Sequence, residues 1–322
     1  MKSGFTCRVA CESCTLGPPG INLAAYEKAR LCRQLCPRAE TTAFNCRTNS
    51  NTNQPSVTMV SASPVFGANI LSTPAANIKV DLIDFAQTDI PEYTGLYAVV
   101  LDNVLSPEEC AQLIQGAEAS TSTGWERAKI NAGGGRQVLL TDQRNCGRII
   151  WDSQDVASKI WSRIEHVPEV QRIMRLENVP RILGNGPNKR GEVWKLTRPN
   201  ERMRFLKYEG GEYFRPHCDG SYETPSRKER TYFTLHLYLT NSGEDQLTGG
   251  ATLFHSMDMQ RMVKVSPEAG RILLFQHRDL LHSGDDVQAG VKYTMRTDLL
   301  YALERSKSEE KSYMEVLEET AG

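Results

Sequence analysis

The segment FRPHCDG, residues 214–220, sets a histidine and an aspartate two positions apart around a cysteine, directly after the glycine-rich YEGGEY. In an extended strand alternate side chains share a face, so His217 and Asp219 point one way and Cys218 the other. A nucleophilic Cys218 would have both neighbours turned away from it, and the expectation is a packed thiol. An imidazole and a carboxylate on one face are two members of the 2-His-1-carboxylate facial triad, which leaves positions of an octahedral Fe(II) open. Alone, a His-x-Asp tripeptide is a weak signal, because an ordinary polar turn yields it too.

The downstream run LLFQHRDLLHSGDDVQAGVKYTMRTDLLY, residues 273–301, changes that balance. It offers His277 and His282 as further ligands and then enters a strand whose period of two puts Lys292, Thr294 and Arg296 on one face. A cation in that place suits a dicarboxylate such as 2-oxoglutarate, whose far carboxylate needs a charged partner while its keto acid end chelates the metal.

Over roughly residues 95–301 the chain resembles the prolyl 4-hydroxylase-like group of Fe(II)/2-oxoglutarate-dependent dioxygenases. The resemblance is carried by LDNVLSPEEC, RFLKYEGGEYFRPHCDGSY, LHLYLTN, LTGGATLF and HSGDDVQAGVKY, in that order. It implies an α+β, mainly β fold: a double-stranded β-helix (jelly-roll, cupin-like) core with supporting N-terminal helices. It implies His217 and Asp219 as iron ligands, and as the distal ligand the histidine followed by a glycine and, ten places on, a basic residue. That is His282, ten before Lys292, rather than His277. For the 2-oxoglutarate cation Lys292 and Arg296 both stay open, with arginine preferred for its bidentate fit to carboxylate. Tyr208 and Tyr238 match tyrosines that donate hydroxyl hydrogen bonds to the co-substrate, although each can equally be a core tyrosine. The implied cofactors are Fe(II), 2-oxoglutarate and O2, with ascorbate as a candidate reductant. The implied reaction is oxidation, most simply hydroxylation, of an unactivated C–H with release of succinate and CO2; desaturation and ring closure stay open. A small molecule or amino acid is the favoured substrate, a prolyl peptide the alternative, and a non-catalytic barrel module a remote third.

Other residues have plainer readings. His236 shares a strand face with Tyr238 and is expected to line a pocket, whereas His255 and His166 are expected on the surface or in a helix. Gly249 and Gly250 give a tight turn into ATLF. Arg144, Asn145 and Arg148 follow a triple-glycine loop at 133–135 and are candidates for substrate contact.

These residues need positioning elements. Residues 97–101 read as a strand; Ser106, Pro107 and Glu109 make a capping box that starts a helix with an apolar stripe of Cys110, Leu113 and Ile114. VASKIWSRIEHVPEV reads as one further amphipathic helix. From residue 203 onward MRFLKY, TYFTLHLYLTN, ATLFHS, MVKVSP, RILLFQH and KYTMRTDLLYAL are strand-like runs. The chain therefore divides into a flexible, cysteine-rich extension over 1–75, a dioxygenase domain over 76–302 with its β core at about 203–302, and a charged tail over 303–322, helices first and sheet afterwards.

Of 322 residues, 38 are Lys or Arg and 39 Asp or Glu, so a net charge of -1 gives no general attraction to nucleic acid or anionic lipid. No apolar run reaches the roughly 18 residues of a membrane span, and no secretory signal is evident, which points to the cytoplasm. Six of nine cysteines fall in the first 46 residues. The spacing Cys7-x3-Cys11-x2-Cys14 resembles that of cluster-binding radical enzymes, but no barrel pattern follows it, and an incidental cysteine-rich extension is preferred over an iron-sulfur cluster or zinc knuckle. The sequence does not specify an oligomeric state.

Overall fold

The computed structural model describes Leu71 and residues 77–131, 137–243 and 247–304. The cysteine-rich extension and linker apart from Leu71, the triple-glycine loop and the tail from residue 305 lie outside the described residues.

Alternation of apolar and polar side chains builds the main sheet. In the strand Glu229–Tyr238, Phe233, Leu235 and Leu237 point to one face and Thr234, His236 and Tyr238 to the other. The strand Lys292–Leu303 repeats this, with Met295, Leu299 and Tyr301 on the first face and Lys292, Thr294, Arg296 and Asp298 on the second. These two long strands pair antiparallel at the centre of a ten-stranded sheet. Arg202–Tyr208 and Gly147–Asp152 extend it on one side; Ile272–Gln276, Ala98–Asp102 and Lys79–Leu82 extend it on the other. Trp194–Pro199 pairs with the far half of Lys292–Leu303.

The first face is covered by helices. Pro107–Ala119 begins at Ser106, whose hydroxyl accepts from the Glu109 amide while the Glu109 carboxylate accepts from the Ser106 amide. Cys110 and Leu113 are buried against the sheet, as the stripe predicts, with Ile114 partly buried. The second predicted helix is interrupted. It runs over Gln154–Ser162, unwinds, and restarts as the short Pro168–Gln171, because Pro168 lacks the N–H that would continue the helix and occupies the first turn of a new one.

A second sheet of five short strands covers the other face, in the order Met262–Val265, Thr252–His255, His282–Gly284, Tyr213–His217 and Arg144–Asn145. Phe254, Val265 and Leu281 pack from this side against Ala98, Val100, Leu273 and Phe275 of the main sheet. All pairings are antiparallel, and the two layers form the expected mainly β, double-stranded β-helix fold. One expectation needs correction: helices do not simply precede the sheet. Ala98–Asp102, Gly147–Asp152 and Trp194–Pro199 are full members of it, so the β layer draws on the chain well before residue 203. Among the described residues no helix is long and apolar enough to cross a membrane.

Glu109 has a second task. Its two oxygens accept from both terminal nitrogens of buried Arg163, at 2.7 and 2.6 Å, and Arg163 also donates to the Val104 carbonyl at 2.8 Å. Removing only the cap with Ser106→Ala is expected to cost about 1 kcal/mol. Glu109→Ala also strips a buried guanidinium of its carboxylate and should cost about 3 kcal/mol or more. Urea denaturation of the two variants checks this ordering.

Candidate active site

The strand Tyr213–His217 carries a β-bulge: Phe214 stands opposite Gly284 and His217 opposite His282, so one strand spends three steps where the other spends two. Pro216 lies inside this bulge, where the missing N–H costs no ladder bond. The result sets His217 and His282 directly across from each other, with ring centroids 4.4 Å apart. Asp219 lies just beyond the strand end and turns back between them, its Oδ1 3.6 Å from His217 Nε2 and its Oδ2 3.8 Å from His282 Nε2.

Both imidazoles are held in the tautomer that a metal needs. His217 Nδ1 lies 2.8 Å from the Arg215 carbonyl and His282 Nδ1 3.0 Å from that of Leu280, so each Nδ1 carries the proton and each Nε2 presents a lone pair. His217 Nε2 is buried and has no hydrogen-bond partner. The ligand atoms of His217, Asp219 and His282 all lie within 4.8 Å of one another. Orphaned nitrogen and clustered donors together fit a divalent cation with imidazole and carboxylate ligands. Burial, reinforced by His217, lowers the His282 pKa to about 3, so this ring is neutral across the physiological range. Burial would raise the Asp219 carboxyl, but Arg296 and the two imidazoles hold it well below the usual carboxylate range.

Two further groups hold Asp219: Thr234 Oγ1 donates to Oδ2 at 2.6 Å and Arg296 donates to Oδ1 at 2.8 Å. Arg296 also reaches Asp298 Oδ1 at 3.2 Å, and Asp298 in turn takes Arg204 at 3.3 Å with His277 Nε2 at 3.6 Å. His277 thus sits beyond its strand end, away from the triad. Lys292 contrasts with Arg296. It is 2 % exposed, no carboxylate among the described residues pairs with it, and its ammonium lies over the Tyr208 ring at 5.1 Å. Burial lowers its pKa to about 8.

His217, Asp219, His282, Lys292, Arg296, Tyr208, His236 and Arg144 all line one cavity between the sheets. Other residues of the sequence reading sit elsewhere. The Tyr238 hydroxyl is taken up by Thr252 Oγ1 at 2.6 Å, and Tyr238 is not among the residues lining the cavity. Asn145 accepts from Arg127 at 3.1 Å, and Arg148 donates to the Lys129 carbonyl and to Gln137; neither lines the cavity. His166 is exposed as expected. His255 is not on the surface: it is 5 % exposed, because Thr252–His255 is buried between its neighbours, and its Nε2 meets Ser283 Oγ at 2.7 Å. Cys218 packs partly against the core, as expected of a thiol facing away from the site.

Sequence reasoning missed Thr234, Phe214 and Phe275. Phe214 stacks on His217 at 3.7 Å and Phe275 meets His282 edge-on at 4.8 Å. Alternation could have found Thr234, two residues from His236 on the polar face. Gly249 and Gly250 have φ of +81° and +70°, as the predicted turn requires, and a Cβ on Gly250 would stand 3.1 Å from Lys292 Cδ. The turn therefore also makes room for the lysine stem.

Residues 203–297 match the family model described as the 2OG-Fe(II) oxygenase superfamily. No curated protein matches the chain. Among solved structures, the viral collagen prolyl hydroxylase of Paramecium bursaria Chlorella virus-1, in its 2OG complex, is 20 % identical, covers 65 % of this chain and 97 % of its own, and gives a TM-score of 0.40. A Pseudomonas putida prolyl-4-hydroxylase is 12 % identical, with coverage of 69 % and 96 % and a TM-score of 0.41. A prolyl hydroxylase from Trichoplax adhaerens, in complex with a hypoxia inducible factor oxygen degradation domain peptide fragment, is 18 % identical, with coverage of 63 % and 82 % and a TM-score of 0.40.

Asp298→Asn should destabilise the protein at pH 7 by about 3 kcal/mol, because it leaves Arg296 and Arg204 with less compensating charge. Arg296 beside it, outweighing burial, depresses the Asp298 pKa in the folded state, so its stabilisation is complete above the ordinary carboxyl value of 3.8 and is lost as pH falls through the lower folded value. The gap between wild type and variant should therefore begin to narrow as pH falls below 3.8, which denaturation at pH 7 and pH 3 measures.

Proposed function

We propose that this chain, a member of the 2OG-Fe(II) oxygenase superfamily through residues 203–297, holds Fe(II) with His217, Asp219 and His282 and oxidises an unactivated C–H bond of a small molecule or amino acid, most simply by hydroxylation. The observation that carries this reading is the unpartnered Nε2 of His217 facing His282 and Asp219, in a cavity that also contains an unpaired lysine. When bound, Fe(II), 2-oxoglutarate and O2 supply the oxidising power through decarboxylation of the oxo acid to succinate and CO2.

The chain's own residues then have separable tasks. The two imidazoles donate from Nε2 because the Arg215 and Leu280 carbonyls hold their Nδ1 protons. Thr234 fixes one Asp219 oxygen and Arg296 the other, so the carboxylate stays ionised and cannot rotate freely. Lys292 takes the far carboxylate of 2-oxoglutarate. The preference for Arg296 is reversed here, because that guanidinium is already occupied by Asp219 and Asp298 whereas Lys292, beside Tyr208, pairs with no carboxylate among the described residues. Tyr208 lines the cavity beside this lysine. Phe214, Phe275 and Leu206 supply the apolar part of the wall.

Anaerobic addition of Fe(II) and 2-oxoglutarate should give the visible charge-transfer band of an iron-bound oxo acid, and His217→Ala should abolish it. Absence of the band in the parent protein would overturn the reading. Lys292→Ala should weaken 2-oxoglutarate binding by about 10- to 100-fold, the loss of one charge-assisted pair. The lysine binds only as the cation, so affinity for 2-oxoglutarate should decline as pH rises through about 8 in the wild type. Titrating the band against 2-oxoglutarate between pH 6.5 and pH 9 reads both effects.

A further inference from the structure

Two arginines stand among the buried charged residues, and they are partnered very differently. Arg163, 6 % exposed, is gripped by both oxygens of Glu109. Arg144, 7 % exposed, has no carboxylate among the described residues. Its Nε donates to Cys146 Sγ at 3.4 Å, its guanidinium lies 4.5 Å from the Phe214 ring centre, and it lines the cavity. The carboxylates nearby are committed: Asp219 and Asp298 to Arg296, and buried Glu212 to Arg127 and the Glu209 amide. The other neighbours of Arg144 are the Tyr208 phenol and the cations Arg148, Arg204 and Arg296. Burial, then the charges of Arg144 and Arg204, lower the pKa of Arg148; burial, with Arg296, Arg202 and Arg144 and against Asp298, lowers that of Arg204.

The co-substrate does not neutralise this arginine. One end of 2-oxoglutarate is matched by the surplus charge of a divalent cation over Asp219 and the other by Lys292, while Arg296 is matched by Asp298. A desolvated guanidinium without an anion is costly unless a ligand supplies one. We propose that Arg144 receives a carboxylate of the molecule to be oxidised, so that the primary substrate is a free carboxylic acid, an amino acid or small organic acid, rather than an internal residue of a polypeptide. This rests on the pocket assignment above and narrows it. Phe214 touches both the Arg144 guanidinium and the His217 imidazole. An acid seated on Arg144 therefore lies close to the triad.

The test uses the full chain loaded with Mn(II) and saturated with 2-oxoglutarate, and the probes are carbon-13 propionate and its neutral isostere propionamide. Paramagnetic relaxation should show saturable binding of propionate and little of propionamide. Arg144→Gln should weaken propionate at least about tenfold, with Arg144→Lys intermediate and 2-oxoglutarate affinity held within about twofold. Equal binding of acid and amide by the wild-type protein would overturn the proposal without any variant. So would an Arg144→Gln protein that keeps its propionate affinity, or one that loses 2-oxoglutarate instead. Failure to take up Mn(II) at all is seen separately by electron paramagnetic resonance and counts against the metal assignment. Saturation transfer from protein to propionate then still reads Arg144, and its absence would sink this proposal as well.

Discussion

A carboxylate buried between two sheets is tolerated only if its charge is answered from several sides, and Asp219 is answered from both layers. Its own segment and the His282 strand belong to the smaller sheet, whereas Thr234 and Arg296 belong to the two central strands of the larger one. The relative placement of the layers is therefore constrained by one side chain. A slip of either central strand by one residue would turn Thr234 or Arg296 to the helix-covered face and bring apolar side chains to the acid. Register, core and site are thus specified together: the alternation that buries Phe233, Leu235 and Met295 is the same alternation that delivers Thr234, His236 and Arg296 inward.

Charge is graded along the inner face. Near the triad Arg296 is neutralised by aspartates, and behind it Arg204 and His277 share Asp298. At the other end of the last strand Lys292 has aromatic rings around it in place of carboxylates. Paired cations act as scaffold, and the unpaired ones are those proposed above as receptors. The distinction depends on which acids stand within 4 Å, a property of the fold and not of residue type.

Much of this was legible in the sequence because period-two alternation, a capping box and a bracketed His-x-Asp each have a local physical cause. The run Lys292–Leu303 is a strand over its whole expected length, and Ser106 starts its helix as read. What escaped had non-local causes. Gly147–Asp152 and Trp194–Pro199 are half-exposed and only weakly patterned, and they are strands because neighbours offer them a ladder. His255 looked like a surface residue until Ser283 from a distant segment closed over it. Spacing and guanidinium geometry could not show that Arg296 pairs with Asp219 and Asp298. Pro168 was the local signal that the reading of a single long helix overlooked.

The two halves of the cavity hang from elements of unequal robustness. The imidazoles sit on strands of three and five residues, whereas the lysine and the arginine sit on one of twelve. A metal with a bound oxo acid, held as proposed above, would touch both and act as a rivet through two plates. The occupied protein should resist local opening of the smaller plate far more than the larger one needs to. On that reading, loading the centre would be an ordering event as well as a chemical one, with the short strands gaining rigidity from what they carry.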